Sequence, residues 1–319
     1  MSYLIAGKSD INSLLLYNFK DIKVFELYLG TLSDFDEKKI NEIKKNCRIF
    51  SVHQPTYVTL KGNHFGFNLL SSSPEGQKSK EDFRELMIKC HRHGINRVVL
   101  HAARYDPHEL DQNDAISKFI NKLNGFPYQS SITIEYDVLW FNTELTDSLP
   151  LITNSVVLRE IIQKTAVGIT LDIEHFIISN FYVMFCNHLK NIKRKEKSEK
   201  DFKNWIHVDT DIKIANLYKE LKNFVEEFKD RINHIHLNGT DWYNYFLKES
   251  LPLVGEHLPL GYNEEKIKDR MDYFQLSNIL RMLPQKKETA IVLEVGKRDS
   301  VYDYFSKVSD SVTFLRKYL

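Results

Sequence analysis

Gly168-Ile169-Thr170-Leu171-Asp172-Ile173-Glu174-His175 is the stretch from which the rest of this chain is read. It opens as a short, mostly apolar run without strict alternation, the pattern of a parallel strand buried on both faces. A carboxylate then closes the run, and a carboxylate and an imidazole follow. The same design recurs outward in both directions: Ser51-Val52-His53-Gln54-Pro55, Val98-Val99-Leu100-His101, Thr133-Ile134-Glu135, His234-Ile235-His236-Leu237-Asn238 and Val292-Leu293-Glu294. Glu256-His257-Leu258-Pro259-Leu260-Gly261 adds one more imidazole.

Apolar runs at Tyr3–Ala6, Val24–Leu27, Ile49–Val52, Arg97–His101, Ile132–Glu135, Gly168–Asp172, Ile232–His236 and Ile291–Val295 are separated by helix-patterned stretches. Strands alternating with helices in this way predict an α/β fold, a closed (β/α)8 TIM barrel, as a single domain over residues 1–319. Ser79 and Asp82 read as a capping signal ahead of an apolar face of Phe83, Leu86, Met87 and Cys90, stopped by Gly94. Ile214, Leu217, Leu221, Phe224, Val225 and Phe228 form a second helical stripe, and a third helix is expected from about Glu264 to Met282 before Pro284. A charged insertion around residues 188–210, richest between His188 and Lys203, reads as a solvated helix or loop, with a lid or phosphate-contacting arm as the sharper alternative.

Composition bounds the function classes. Apolar residues make up 42% of 319, enough for a sizeable core. Lys+Arg 44 against Asp+Glu 43 leaves a net charge of +1, which argues against a surface built throughout for nucleic acid. Cys47, Cys90 and Cys186 are far apart, which favours a reducing compartment without a disulfide framework. No secretory leader is apparent and no apolar run approaches the roughly 20 residues of a membrane span. A cytoplasmic protein without a membrane partner is the expectation, and a homo-oligomer is left open.

A barrel gathers the C-terminal ends of its strands around one cavity, so distant ligands converge. Glu135, Asp172, His236 and Glu294 could offer one divalent cation three carboxylates and an imidazole. Taken singly, each has a structural reading as a paired carboxylate or a satisfied core histidine. Taken together they carry more, because buried carboxylates need partners and these strands offer no matching row of Lys or Arg.

On these residues the chain resembles the xylose isomerase-like TIM-barrel superfamily, which includes sugar and sugar-phosphate isomerases and epimerases and the endonuclease IV type of repair enzyme. Leu171-Asp172-Ile173-Glu174-His175 is similar to the family's L-D-x-x-H. His236-Leu237-Asn238 and His257-Leu258-Pro259-Leu260-Gly261 are similar to H-L-x-D and H-x-P-L-G. The resemblance implies Glu135, Asp172, His236 and Glu294 as ligands of a divalent metal, zinc, manganese or cobalt. It further implies Glu135 and Glu294 as the pair that moves a proton, with His175 on substrate oxygens of a small polyhydroxylated molecule.

The endonuclease relatives imply more: His53, His101 and Glu135 on a second metal, His175 and His257 on a third. Several departures rank that reading second. Gly255 stands where the third site needs an aspartate, Gly7-Lys8-Ser9 lacks the first-strand histidine, and Tyr136-Asp137-Val138-Leu139-Trp140 replaces a glycine-containing stretch. Tyr28-Leu29-Gly30-Thr31 also lacks the residues that would wedge into a duplex, so nucleic acid is the less favoured partner. Asn238-Gly239 and Tyr262-Asn263 depart from the isomerases as well. His53, His101, His175 and His257 therefore stand as candidates for a second metal or for substrate. A barrel that keeps the metal residues but only binds or assembles is a third reading.

Overall fold

The structure, a computed structural model, describes residues 3–17, 22–101, 103–138, 148–152, 154–192, 198–239, 257, 259–260, 276–284, 289–295 and 301–319. All eight expected strands are present: β1 Leu4–Asp10, β2 Val24–Tyr28, β3 Arg48–His53, β4 Val98–His101, β5 Ile132–Glu135, β6 Gly168–Asp172, β7 Ile232–Leu237 and β8 Ala290–Leu293. They run parallel in chain order and close, with β1 paired to both β2 and β8. This is a (β/α)8 barrel. Among the described residues no helix is long and apolar enough to cross a membrane.

Successive strand residues point to opposite faces, and the barrel uses the two faces differently. Phe25, Leu27, Val98, Leu100, Ile132, Ile134, Ile169, Leu171, Ile291 and Leu293 join the helices in one apolar core. Ser51, His53, Thr133, Glu135, Thr170, Asp172, His234 and His236 occupy the alternate positions and are buried too. The strands look continuously apolar only because the outward set is so uniform.

The helices are α1 Ile11–Leu16, α2 Glu37–Ile43, α3 Pro74–Arg92, α4 Gln112–Asn124, α5 Ser155–Lys164, α6 Ile173–Asn191, α7 Glu199–His207, α8 Thr210–Phe228, α9 Leu276–Met282 and α10 Val301–Arg316. α3 corrects the expected cap. It starts at Pro74 with Ser73 as N-cap, the Ser73 hydroxyl accepting from the Gly76 amide, because proline suits the first helical position. Ser79 lies inside the helix and donates back to the Glu75 carbonyl, and Asp82 pairs with Lys78 at 2.7 Å. α8 buries the six stripe residues expected of it. Of the helix expected from Glu264, only Leu276–Met282 lies among the described residues. The charged stretch forms the end of α6 and all of α7, with turns at Ile192 and at Val208 and Asp209; residues 193–197 lie outside the described set.

Two ribbons not foreseen from sequence stand at the strand C-termini. Tyr57–Leu60 pairs antiparallel with Asn63–Gly66 through a turn with positive φ at Lys61 and Gly62. Arg104–Tyr105 pairs with Leu149–Pro150. Both flank the barrel mouth.

Candidate metal centre

Asp172 ends β6 and caps α6 at once. Its Oδ1 accepts from the His175 amide at 2.8 Å, which uses one oxygen for helix initiation. Oδ2 is buried with no hydrogen-bond partner. An orphaned carboxylate oxygen in a dry interior is costly, so its surroundings decide what it is for.

Those surroundings are the other expected residues. His236 Nδ1 lies 3.2 Å from Glu135 Oε1, 3.2 Å from Glu294 Oε1 and 3.8 Å from Asp172 Oδ2. The donors of Asp172, His236 and Glu294 all fall within 4.8 Å of one another. Residues from β5, β6, β7 and the end of β8 thus meet around a single imidazole nitrogen.

Glu135 faces two ways. Its Oε1 looks toward His236 and, at 3.4 Å, His175, while its Oε2 lies 3.3 Å from His53 Nε2 and 3.4 Å from His101 Nε2. His53, His101 and Glu135 form a second set of mutually close donors, and Glu135, Asp172 and His175 a third.

The ring tautomers sharpen this picture. His53 Nδ1 lies 3.1 Å from the Gln54 carbonyl, which can only accept, so Nδ1 carries the hydrogen. A neutral ring then turns the Nε2 lone pair toward the Glu135 oxygen. Two electron-rich atoms at that separation call for a proton or a cation between them. His175 likewise donates from Nδ1 to the Tyr136 carbonyl at 3.0 Å, and its Nε2 lies 4.0 Å from Asp172 Oδ2.

Charge points the same way. Burial lowers the His101 pKa to about 4 despite the pull of Glu135, so that ring is neutral at pH 7. Burial also raises Asp172, and neighbouring Glu294 and Glu135 add to the rise. For Glu135 and Glu294 burial is outweighed, by His101 and His236 for the first and by His236 and Lys8 for the second, and both carboxyls fall below their ordinary value. Burial would lower His175 as well, but Asp172 and Glu135 lift it to about 9. Burial would lower His236 too, but Glu294, Glu135 and Glu26 raise it well above its ordinary value. A cation would take the place of that proton, and carboxylates with imidazoles make a donor set suited to zinc, manganese or cobalt.

β1 runs further than the sequence suggested, because Gly7 to Asp10 pair with Phe25 to Tyr28. That extension carries Lys8 into the barrel, where its ammonium contacts Glu294 and lies 3.5 Å from Glu26 Oε1. A basic partner therefore exists for part of the acidic cluster.

Glu26 was not foreseen as a site residue, and His234 was expected only to pack. Both are fully buried, with Glu26 Oε2 2.8 Å from His234 Nε2. The available signal was a lone carboxylate in apolar Phe25-Glu26-Leu27. His257 sits elsewhere than the endonuclease pattern implies. Its Nδ1 accepts from Asn238 at 3.0 Å and lies 3.7 Å from Glu174 and 3.6 Å from Glu294. Among the described residues no donor cluster joins it to His175. Glu174, which accepts from Asn238, is raised by burial to about 7. Gly255, Tyr262 and Trp140 lie outside the described residues.

Over the centre opens a cavity of about 970 Å³. Glu135, Glu294, His53, His101, His175 and His257 line it, with Asp10, Asp34, Asp36, Asp137, Lys39 and Arg104 among its other walls.

A family model described as "Xylose isomerase-like TIM barrel" matches residues 20–318. The chain belongs to that family. The sequence matches no curated protein. Among solved structures, this xylose isomerase-like barrel resembles a D-tagatose 3-epimerase-like protein at 14% identity and TM-score 0.57, over 99% of this chain and 96% of the other. Endonuclease IV from Thermus thermophilus follows at 10% and 0.56, over 98% and 99%. Mannonate dehydratase from Streptococcus suis matches at 7% and 0.54, over 100% and 94%. Identities this low establish a shared fold; one fold hosts several chemistries, so the reaction has to be argued from the site.

Proposed function

We propose that this barrel is a divalent-metal-dependent isomerase or epimerase of a small polyol or sugar, with Glu135 and Glu294 moving the proton. The carrying observation is the charge of the cavity wall. Asp10, Asp34, Asp36 and Asp137 line it beside Glu135 and Glu294, and these carboxylates outnumber its basic groups, Lys8, Lys39 and Arg104. Lys8 contacts Glu294, Lys39 donates to Asn12 at 3.0 Å, and Arg104 donates to the Ser148 carbonyl at 2.7 Å. A phosphate backbone needs cations to meet it. A neutral polyhydroxylated molecule needs hydrogen-bonding groups, which this wall supplies, and an unphosphorylated substrate is favoured over a sugar phosphate.

Glu135, Asp172, His236 and Glu294 would hold the cation, whose chemistry is to polarise substrate oxygens and offset negative charge developing there. Glu135 and Glu294 reach His236 Nδ1 from different strands, and their neighbours keep both ionised, the state a base needs. One can accept a proton from substrate carbon while the other returns it. His175 and His257, both in the cavity lining, would bind substrate oxygens.

Deuterium exchange from solvent into candidate polyols, read by NMR on metal-loaded protein, tests this reading. Wild type should exchange, and Glu294→Gln should abolish the exchange with metal still bound. A metal-dependent phosphodiesterase is the second reading, favoured by the two-sided Glu135, since paired metal sites serve phosphoryl chemistry. Cleavage of abasic duplex DNA that is lost in His101→Ala would overturn the first reading in its favour. Stoichiometric metal without either activity would point to a binding barrel.

A further inference from the structure

We propose that Glu26 is a positioning residue of this centre, setting the ring of His236 directly and the carboxylate of Glu294 through Lys8. The inference rests on the metal-centre reading and deepens it. Glu26 lies on β2, on the side of His236 away from the other donors. His236 Nε2 stands 3.1 Å from Glu26 Oε1, whereas Nδ1 is the nitrogen that meets Glu135, Asp172 and Glu294. A neutral imidazole carries one N–H and one lone pair. His236 Nδ1 is hydrogen-bonded to Glu135 Oε1 at 3.2 Å. With a cation in that place, the carboxylate beside Nε2 would favour the hydrogen on Nε2 and the lone pair on Nδ1, the form in which His236 ligates. The contact is close without being a linear hydrogen bond, so it acts largely through charge.

Glu26 is itself held from several strands. Ser51 donates to its Oε2 at 2.9 Å, and His234 Nε2 lies 2.8 Å from the same oxygen. Phe50 stacks on His234 at 6.1 Å with planes 9° apart, which keeps that ring in place. Oε1, besides meeting His236, lies 3.5 Å from Lys8 Nζ, and that ammonium contacts the Glu294 Oε1 that also faces His236. One buried carboxylate thereby touches one metal donor and, through one lysine, a second.

Glu26, His234 and His236 could also be read as an ion site, because their donors lie within 4.8 Å of one another. The geometry argues otherwise. All of them are fully buried, Glu26 is absent from the cavity lining, and Lys8 already brings a positive charge to Glu26. Glu26 touches neither cavity nor substrate; its effect passes through His236 and Lys8.

The test compares wild type, Glu26→Gln and Ser51→Ala for cobalt(II) affinity by chelator competition, the visible absorption of the bound cobalt, and thermal unfolding without metal. Glu26→Gln should bind roughly 10- to 100-fold more weakly with an altered cobalt spectrum, the cost typical of losing an outer partner of a ligating histidine. Ser51→Ala, which keeps the carboxylate but frees one oxygen, should lose affinity by a few-fold and decides the matter if Glu26→Gln does not fold. Unchanged affinity and spectrum in the variants would sink the positioning role alone, as would a loss of metal-free stability without a spectral change. A wild-type protein that binds no stoichiometric cobalt would overturn the metal centre itself.

Discussion

Two residues below most charged side chains at the barrel mouth, the same strand carries a small or apolar one: Ala6 under Lys8, Val99 under His101, Thr133 under Glu135, Thr170 under Asp172 and Val292 under Glu294. The step is about 7 Å along a strand. At the lower level Thr170 donates to Thr133 at 2.7 Å and Ser51 donates to Glu26 at 2.9 Å. At the upper level Asp172 Oδ2 has no hydrogen-bond partner, with His236 Nδ1 3.8 Å away, and the carboxylates crowd together. Strands β3 and β7 are polar at both levels, with Ser51 and His234 below, and both of those residues meet Glu26. The lower level is built for stability. The upper level gathers carboxylates that Lys8 and the histidines offset only in part, leaving Asp172 Oδ2 without a hydrogen bond.

The largest effect should come from Glu135→Gln, which weakens donors on both faces of the centre. Metal affinity should fall by more than the roughly 100-fold that losing an outer partner costs. Elemental analysis of dialysed protein reads this, and a wild-type metal content would break the contrast between the levels. The pH dependence gives the next test. Glu174 keeps its proton to about pH 7 when folded, against about 4.5 in the unfolded chain. The folded state therefore binds more protons in between, and wild type should lose stability as pH rises from 4.5 through 7. Metal-free Glu174→Gln should gain on the order of 3 kcal/mol over wild type at pH 8, with no gain at pH 4.

Val292→Ala should act with the opposite sign. Denaturant titration should show a loss of about 2 kcal/mol for this buried side chain, with metal affinity unchanged. A metal defect in that variant would blur the two levels. The smallest effect is expected at Ser73→Ala, where loss of the α3 cap should cost about 1 kcal/mol by the same titration and leave metal binding intact.

Much of this molecule is legible in its sequence. The strands were visible because outward positions such as Leu100, Ile134 and Leu171 are uniformly apolar. The α8 stripe was visible because a helix repeats every 3.6 residues. The α3 start was misread because Ser79 and Asp82 imitate a cap, while Ser73-Pro74 is the true one. Glu135, Asp172, His236 and Glu294 stood out as polar residues closing apolar runs. Lys8 and Glu26 did not, one because β1 was read too short and the other because a lone carboxylate within a strand has no marked end position.

The sequence by itself determined the barrel, the family and the run of polar residues that close its strands, since all three follow from period and order along the chain. The tertiary structure alone decided the partners: Glu135 facing two ways, His257 with Asn238 and Glu174 instead of with His175, and Lys8 bridging Glu26 and Glu294. Such pairings depend on strand register and on side chains crossing the interior of a closed ring, and neither leaves a periodic trace in the chain.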